Sequence, residues 1–163
     1  MDINKAFDIL MEFEGGKQVT SIPQDRGGLT KYGISQAAYP SCDIKNLTED
    51  TAKAMYGTDY WNTSNCTKLK PELQYVVFDT AVNCGPGTAI RILREACGIS
   101  SGTEFDAEAL VKSDNVSIAE YLLWREWYDD EIVEHRRDQI IFLGGWENRN
   151  KQILSLYKEG KLS

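Results

Sequence analysis

The stretch DINKAFDILMEFEGGKQVTSIPQDRGGLTKYGIS, residues 2–35, carries the two signals from which the fold is read. In its first half Ile3, Ala6, Phe7, Leu10 and Glu14 recur at helical spacing and share one face, with Asp2 as the cap and Gly15-Gly16 as the stop. From Lys17 to Ser35 that period breaks into a Pro- and Gly-punctuated run. This run predicts a short hairpin or irregular β excursion, the only credible strand region of the sequence.

Outward from there the helical period dominates. LTEDTAKAMY offers a capping residue with acids in the first turn, which predicts a helix from Thr48 towards Tyr60-Trp61. Further helices are expected over residues 71–84, ended by the glycines of NCGPG, and over 88–97, 106–112, 118 to about 137 and 146–158. The fold class is therefore mainly α with a small β-hairpin. The loop GISSGTEFD, residues 98–106, is the best internal boundary, but the apolar faces on either side are small, so two lobes sharing one packed body are expected.

The chain has 163 residues, with 18 Lys and Arg against 25 Asp and Glu, a net charge of −7. That sign opposes docking on nucleic acid or anionic membranes. No apolar run approaches the roughly 18 to 20 residues of a membrane span, so neither an anchor nor a signal peptide is expected. Cys42, Cys66, Cys84 and Cys97 form no paired knuckle, which disfavours structural zinc and leaves reduced, mostly buried thiols or two disulfides as alternatives. A two-His zinc hydrolase is excluded because His135 is the single histidine, and any Ser or Cys nucleophile would have only that base. No metal and no cofactor are expected, and carboxylates remain as the acids and bases of an enzyme.

Glu14 lies within roughly 20–40° of the apolar stripe of its helix, so the pattern aims a carboxylate at the interior. Its place at the helix end sets it in the negative field of the macrodipole, and burial and dipole together raise a carboxyl pKa. A proton held near neutral pH is what a general acid needs to protonate a glycosidic oxygen. The same position also suits a helix end reaching into solvent. Glu12, about 200° from Leu10, serves as a control and should face water. Eleven residues after Glu14 stands Asp25, followed by Gly27-Gly28 and Thr30. A helix ending in Glu with a hairpin carrying Asp and a hydroxyl can place two carboxylates on opposite walls of a cleft, although DRGG also reads as a plain surface turn.

EGG at 14–16, DRGGLTKYGIS at 25–35, YPSCDIKNLT at 39–48, DYW at 59–61 and VFDTAVNCG at 77–85 together resemble glycoside hydrolase family 108. These are lysozyme-like N-acetylmuramidases, mostly phage endolysins and prophage proteins. FLGGWENR at 142–149, ahead of a last helix, resembles the predicted peptidoglycan-binding region that commonly follows. The resemblance implies a muramidase region over 1–97 and a helical peptidoglycan-binding region over 98–163, on a lysozyme-like fold. It makes Glu14 the catalytic acid and places Asp25 and Thr30 at the other positions of a Glu, Asp, Thr constellation. Asp25 would act on a water or stabilise the oxocarbenium-like transition state, with Thr30 holding that water; Thr30 also suits a purely structural role in the hairpin. Two departures stand out: DRGG replaces the usual DPGG, and SGTEFDAEAL stands where a DGxxGPxT-like turn is common.

Tyr32, Tyr60 and Trp61 suit stacking against sugar rings or, alternatively, a core position, as does Tyr56. Asp79 and Asn83, one helical turn apart, share a face from which both could hydrogen-bond a sugar or brace the hairpin. In EYLLWREWYDDEIVEHRR the residues Tyr121, Leu122, Trp124 and Tyr128 read as helix-packing core, and His135 as a solvated or capping residue. Trp146, Arg149 and Asn150 recur at helical spacing and suit locking the last helix to the body.

The activity implied is hydrolysis of the β-1,4 bond between N-acetylmuramic acid and N-acetylglucosamine in bacterial peptidoglycan, by a monomer. The protein would accumulate in a host cytoplasm and reach the wall through a holin lesion or a secretion system. A lytic transglycosylase using Glu14, a non-catalytic peptidoglycan-binding module and a thiol peptidase using His135 are the alternatives.

Overall fold

A computed structural model of the chain describes residues 1–13, 20–21 and 29–162. The EGG motif with Glu14, and the DRGG motif with Asp25, lie outside the described residues. The chain divides into two compact units, Asp2–Asp59 and Tyr60–Ser163 with Met1.

The first unit holds α1 (Ile3–Phe13), β1 (Thr20–Ser21), β2 (Leu29–Lys31), β3 (Ile34–Ser35) and α2 (Glu49–Tyr56). The Asp2 carboxylate caps α1 by accepting from the Lys5 amide at 2.9 Å. Ala6, Phe7 and Leu10 are fully buried, whereas Glu12 faces solvent as its angular position requires. The Phe7 ring meets Tyr56 edge-on at 5.4 Å and Tyr32 at 6.4 Å, which joins α1, α2 and the hairpin in one aromatic cluster. Thr48 caps α2 by accepting from the Thr51 amide at 3.2 Å.

The β element is a three-stranded antiparallel sheet in the order β1-β2-β3, one strand more than a hairpin. Thr30 pairs with Thr20 on one side and Ser35 on the other. Tyr32 and Gly33 connect β2 to β3 with φ of 53° and 74°, the two positive values that a type I′ hairpin turn needs. The Tyr56 hydroxyl donates to the Tyr32 carbonyl at 3.0 Å, and a Cβ on Gly33 would stand 2.6 Å from that hydroxyl oxygen. Gly33→Ala therefore combines left-handed strain with the loss of a fixed hydrogen bond. It is expected to cost about 2 kcal/mol in urea denaturation; a change below about 0.5 kcal/mol would mean that the turn relaxes freely.

The chain passes from one unit to the other within a π-helical turn, Gly57–Asn62. The second unit is helical: α3 (Pro71–Cys84), α4 (Pro86–Ala96), α5 (Ala107–Ser113), α6 (Ile118–His135) and α7 (Ile140–Lys158). Every residue of α3 from Leu73 to Ala81 is buried, which makes it the helix around which the others pack. Proline occupies the first turn of both α3 and α4, where a missing amide hydrogen costs nothing. Ser117 and Glu120 form a reciprocal capping box at the start of α6.

Residues 98–106 lie inside this unit and are tied to α4. Arg94 donates from Nε to the Ser100 carbonyl at 3.0 Å, and from Nη1 to the Glu104 carbonyl at 3.0 Å and to Asp106 at 2.7 Å. The last helix begins at Ile140, six residues before the position the sequence suggests. It continues through Gly144 and Gly145, which reads as a break on propensity, because helical glycines are costly but sterically permitted. The four cysteines are free thiols. No helix of the described residues is long and apolar enough to cross a membrane. The fold is mainly α with a small antiparallel sheet, as the sequence predicts.

Candidate functional site

Of the residues singled out from sequence, Glu14 and Asp25 lie outside the described residues. Thr30 and Tyr32 are half-buried on the sheet of the first unit. Tyr60 is half-buried in the π-helical turn. Trp61 is 3% exposed and meets Phe78 edge-on at 5.6 Å, so it belongs to the core and presents no face to a ligand.

Asp79 is fully buried, and both of its oxygens are taken. Arg125 Nη1 donates to Oδ2 at 2.8 Å, and Arg149 Nη2 donates to Oδ1 at 2.7 Å, with Arg149 Nε bridging both oxygens. Burial works against the charge, but the two guanidiniums outweigh it and hold the carboxyl below its usual range. A sugar hydroxyl would have to displace an arginine to reach Asp79. The residue is a structural hub joining α3, α6 and α7 rather than a sugar ligand, and Arg149 thereby locks the last helix as its spacing suggests. Asn83, one turn on, is exposed and donates from Nδ2 to the Asp79 carbonyl at 2.7 Å.

Asn83 also opens on a cavity of about 330 Å³ within the second unit. The end of α3 supplies Asn83 and Cys84, and α6 supplies Arg125, Tyr128 and Asp129. Arg136, Gln139 and Trp146 close it from the α6–α7 connection and the start of α7. Burial pushes the Cys84 thiol up to about 11, so it stays protonated and is no nucleophile at neutral pH. His135 is exposed, its Nδ1 2.8 Å from the Glu131 carbonyl at the helix end, consistent with the capping alternative.

Asp129 is the titratable group that the sequence reading missed. It is 5% exposed, makes no hydrogen bond or ion pair among the described residues, and also lines a second cavity of about 250 Å³ with Glu126, Asp130, Glu147 and Lys151. Burial raises its carboxyl to about 6; Arg125 pulls down, and Asp130 and Glu126 push up. A folded pKa above the ordinary 3.8 gives stability that is present below pH 3.8 and lost as pH rises through about 6. Asp129→Asn is accordingly expected to stabilise the protein at pH 7.5 by about 2–3 kcal/mol, with the gain vanishing below about pH 4. Urea denaturation at both pH values checks this, and a gain independent of pH would contradict it.

A family model described as Glycosyl hydrolase 108 matches residues 7–85. Among solved structures, "Structure of Brucella abortus SagA" superposes with a TM-score of 0.73 and 23% sequence identity, covering 93% of each chain. No curated protein matches the chain. The match takes in Glu14, Asp25, Thr30, Tyr32, Tyr60, Trp61, Asp79 and Asn83, the residues from which a site was first read, and the SagA likeness extends the shared fold through the later helices. The glycosyl hydrolase 108 likeness thus covers residues 7–85, and the mainly α fold as a whole is shared with SagA.

Proposed function

We propose that the protein is a peptidoglycan hydrolase, an N-acetylmuramidase that cleaves the β-1,4 bond between N-acetylmuramic acid and N-acetylglucosamine. The observation that carries this reading is the glycosyl hydrolase 108 match over residues 7–85, which spans both carboxylates first singled out on physical grounds. Glu14 protonates the leaving glycosidic oxygen. Asp25 activates a water or stabilises the oxocarbenium-like transition state from the other face of the sugar, and Thr30 orients that water. Tyr32 and Tyr60 offer half-exposed rings for stacking, and Asn83 an amide for hydrogen bonding. Trp61 and Asp79 serve the fold.

The eleven residues and turn between Glu14 and Asp25 favour a carboxyl separation of about 6.5–9.5 Å and inversion, rather than the roughly 5 Å of a retaining enzyme. We assign the protein an endolysin role, as a monomer that accumulates in a host cytoplasm and reaches the wall through a holin lesion or a secretion system. Residues 98–163 serve as the peptidoglycan-binding region.

The test is digestion of purified peptidoglycan, with mass analysis and reducing-end assay of the fragments. New reducing muramic acid ends are expected. 1,6-Anhydro ends would transfer the reading to a lytic transglycosylase, and binding without new ends would leave a glycan-binding module.

A further inference from the structure

We infer that the cavity formed by the end of α3, by α6 and by the start of α7 is a binding subsite for an N-acylated sugar bearing a carboxylate, a muramoyl-type residue. The inference rests on the peptidoglycan reading above and gives it a location. Five observations carry it, each an unmet hydrogen-bonding or packing capacity of a residue that lines the cavity.

The Nε of Arg125 has no partner although the residue is only 3% exposed, an orphaned donor of the kind that folded proteins rarely leave unmet. Asp129, 5% exposed, has no hydrogen-bond partner among the described residues either. The exposed Arg136 forms no ion pair among the described residues, which leaves a planar cation at the cavity wall to take a carboxylate. Asn83 and Gln139 each spend their amide nitrogen on a protein oxygen, Asp79 and Asp138 respectively, so their amide oxygens remain to accept from an acetamido N–H or sugar hydroxyls. Trp146, stacked on Phe142 at 6.1 Å with 26° between planes, gives the aromatic surface on which the C–H face of a sugar packs.

Asp129 adds a dependence on pH. The charged and titratable groups around it are Arg125, Glu126 and Asp130 on its own helix, Cys84 from α3, Arg136 beyond the helix end, and Glu147 and Lys151 from α7. In its protonated form it donates to the ligand carboxylate; once ionised it repels it. Affinity for the acid sugar therefore falls as pH rises through about 6.

The experiment is an NMR titration of the full chain with N-acetylmuramic acid and with N-acetylglucosamine, which lacks the carboxylate, at pH 5 and pH 7.5. N-acetylmuramic acid is expected to bind more tightly at pH 5. Arg136→Ala, at an exposed position whose side chain makes no hydrogen bond or ion pair among the described residues, should weaken it about tenfold while leaving N-acetylglucosamine nearly unaffected. Asp129→Asn, which keeps a donor, should bind equally at both pH values. Unchanged affinity in Arg136→Ala, or no binding of either sugar at tens of millimolar, would overturn the subsite. Peptidoglycan digestion by the wild type, run in parallel, separates the two claims. Cleavage without this binding removes the subsite alone, and this binding without cleavage removes the muramidase alone.

Discussion

Asp79→Ala is expected to lower stability by about 3–5 kcal/mol, a large fraction of what a domain of this size possesses. The substitution removes the counter-charge of Arg125, which is 3% exposed and stands 2.8 Å from Oδ2, and at the same stroke releases Arg149 of α7 from α3. Most of the cost comes from the guanidinium left behind in a desolvated place, not from the attraction that is lost. The control follows from that distinction. Arg125→Met combined with Asp79→Leu removes both buried charges and should recover much of the loss, because an apolar pair of similar volume avoids the desolvation cost. Urea denaturation of the three proteins tests this, and an Asp79→Ala change below about 1 kcal/mol would show that the hub is dispensable. Since the folded pKa of Asp79 lies below its unfolded value, its contribution is present above about pH 4 and is lost as pH falls further.

Glu14→Gln is expected to reduce the rate of glycan cleavage by about 10²–10⁴-fold. Glutamine reproduces the shape and one hydrogen-bond acceptor of the carboxyl but has no proton to deliver to a departing alkoxide, so the loss should fall on kcat rather than on KM. A carboxylate serving only the fold would give a different signature: a lowered melting temperature with the residual activity tracking the folded fraction. The measurement is therefore paired, reducing-end release per minute and thermal unfolding on one preparation. Activity within about tenfold of the wild type would end the assignment of Glu14 as the acid.

How far the sequence disclosed these features depended on whether the deciding interaction was local. Asp2 and Thr48 were readable as caps because a cap bonds its own next turn. Tyr32-Gly33 was readable within a hairpin for the same reason. The start of α7 was not, because two glycines weigh against a helix on propensity while permitting one sterically. Asp79 illustrates the other limit. Its position beside Asn83 suggested a polar face for ligand, whereas its partners stand 46 and 70 residues further along the chain, distances over which no local pattern operates. Asp129 is the instructive miss. It follows Tyr121 and Arg125 at intervals of four, placing a carboxylate on the buried stripe of α6, and the criterion that drew attention to Glu14 applies to it unchanged. The aromatic richness of that segment pointed to packing alone, and the charged residues within the stripe were passed over.

The glycine pair of α7 has a consequence for motion. Gly144 and Gly145 have nothing within 4 Å of where a Cβ would stand, and the three residues that open the helix, Ile140, Ile141 and Phe142, are 59%, 77% and 49% exposed. That stretch has weak intrinsic helicity and few apolar contacts to hold it, whereas the helix beyond it is anchored by Arg149, Asn150 and Ile153. Its backbone amides are therefore expected to exchange with solvent before those of the anchored half, which hydrogen exchange would check. Trp146 is the residue at which this stretch meets the anchored half, so one wall of the cavity is carried by a weakly held turn of the helix. Whatever settles against that indole restrains this turn, and part of its binding energy goes into stilling the backbone.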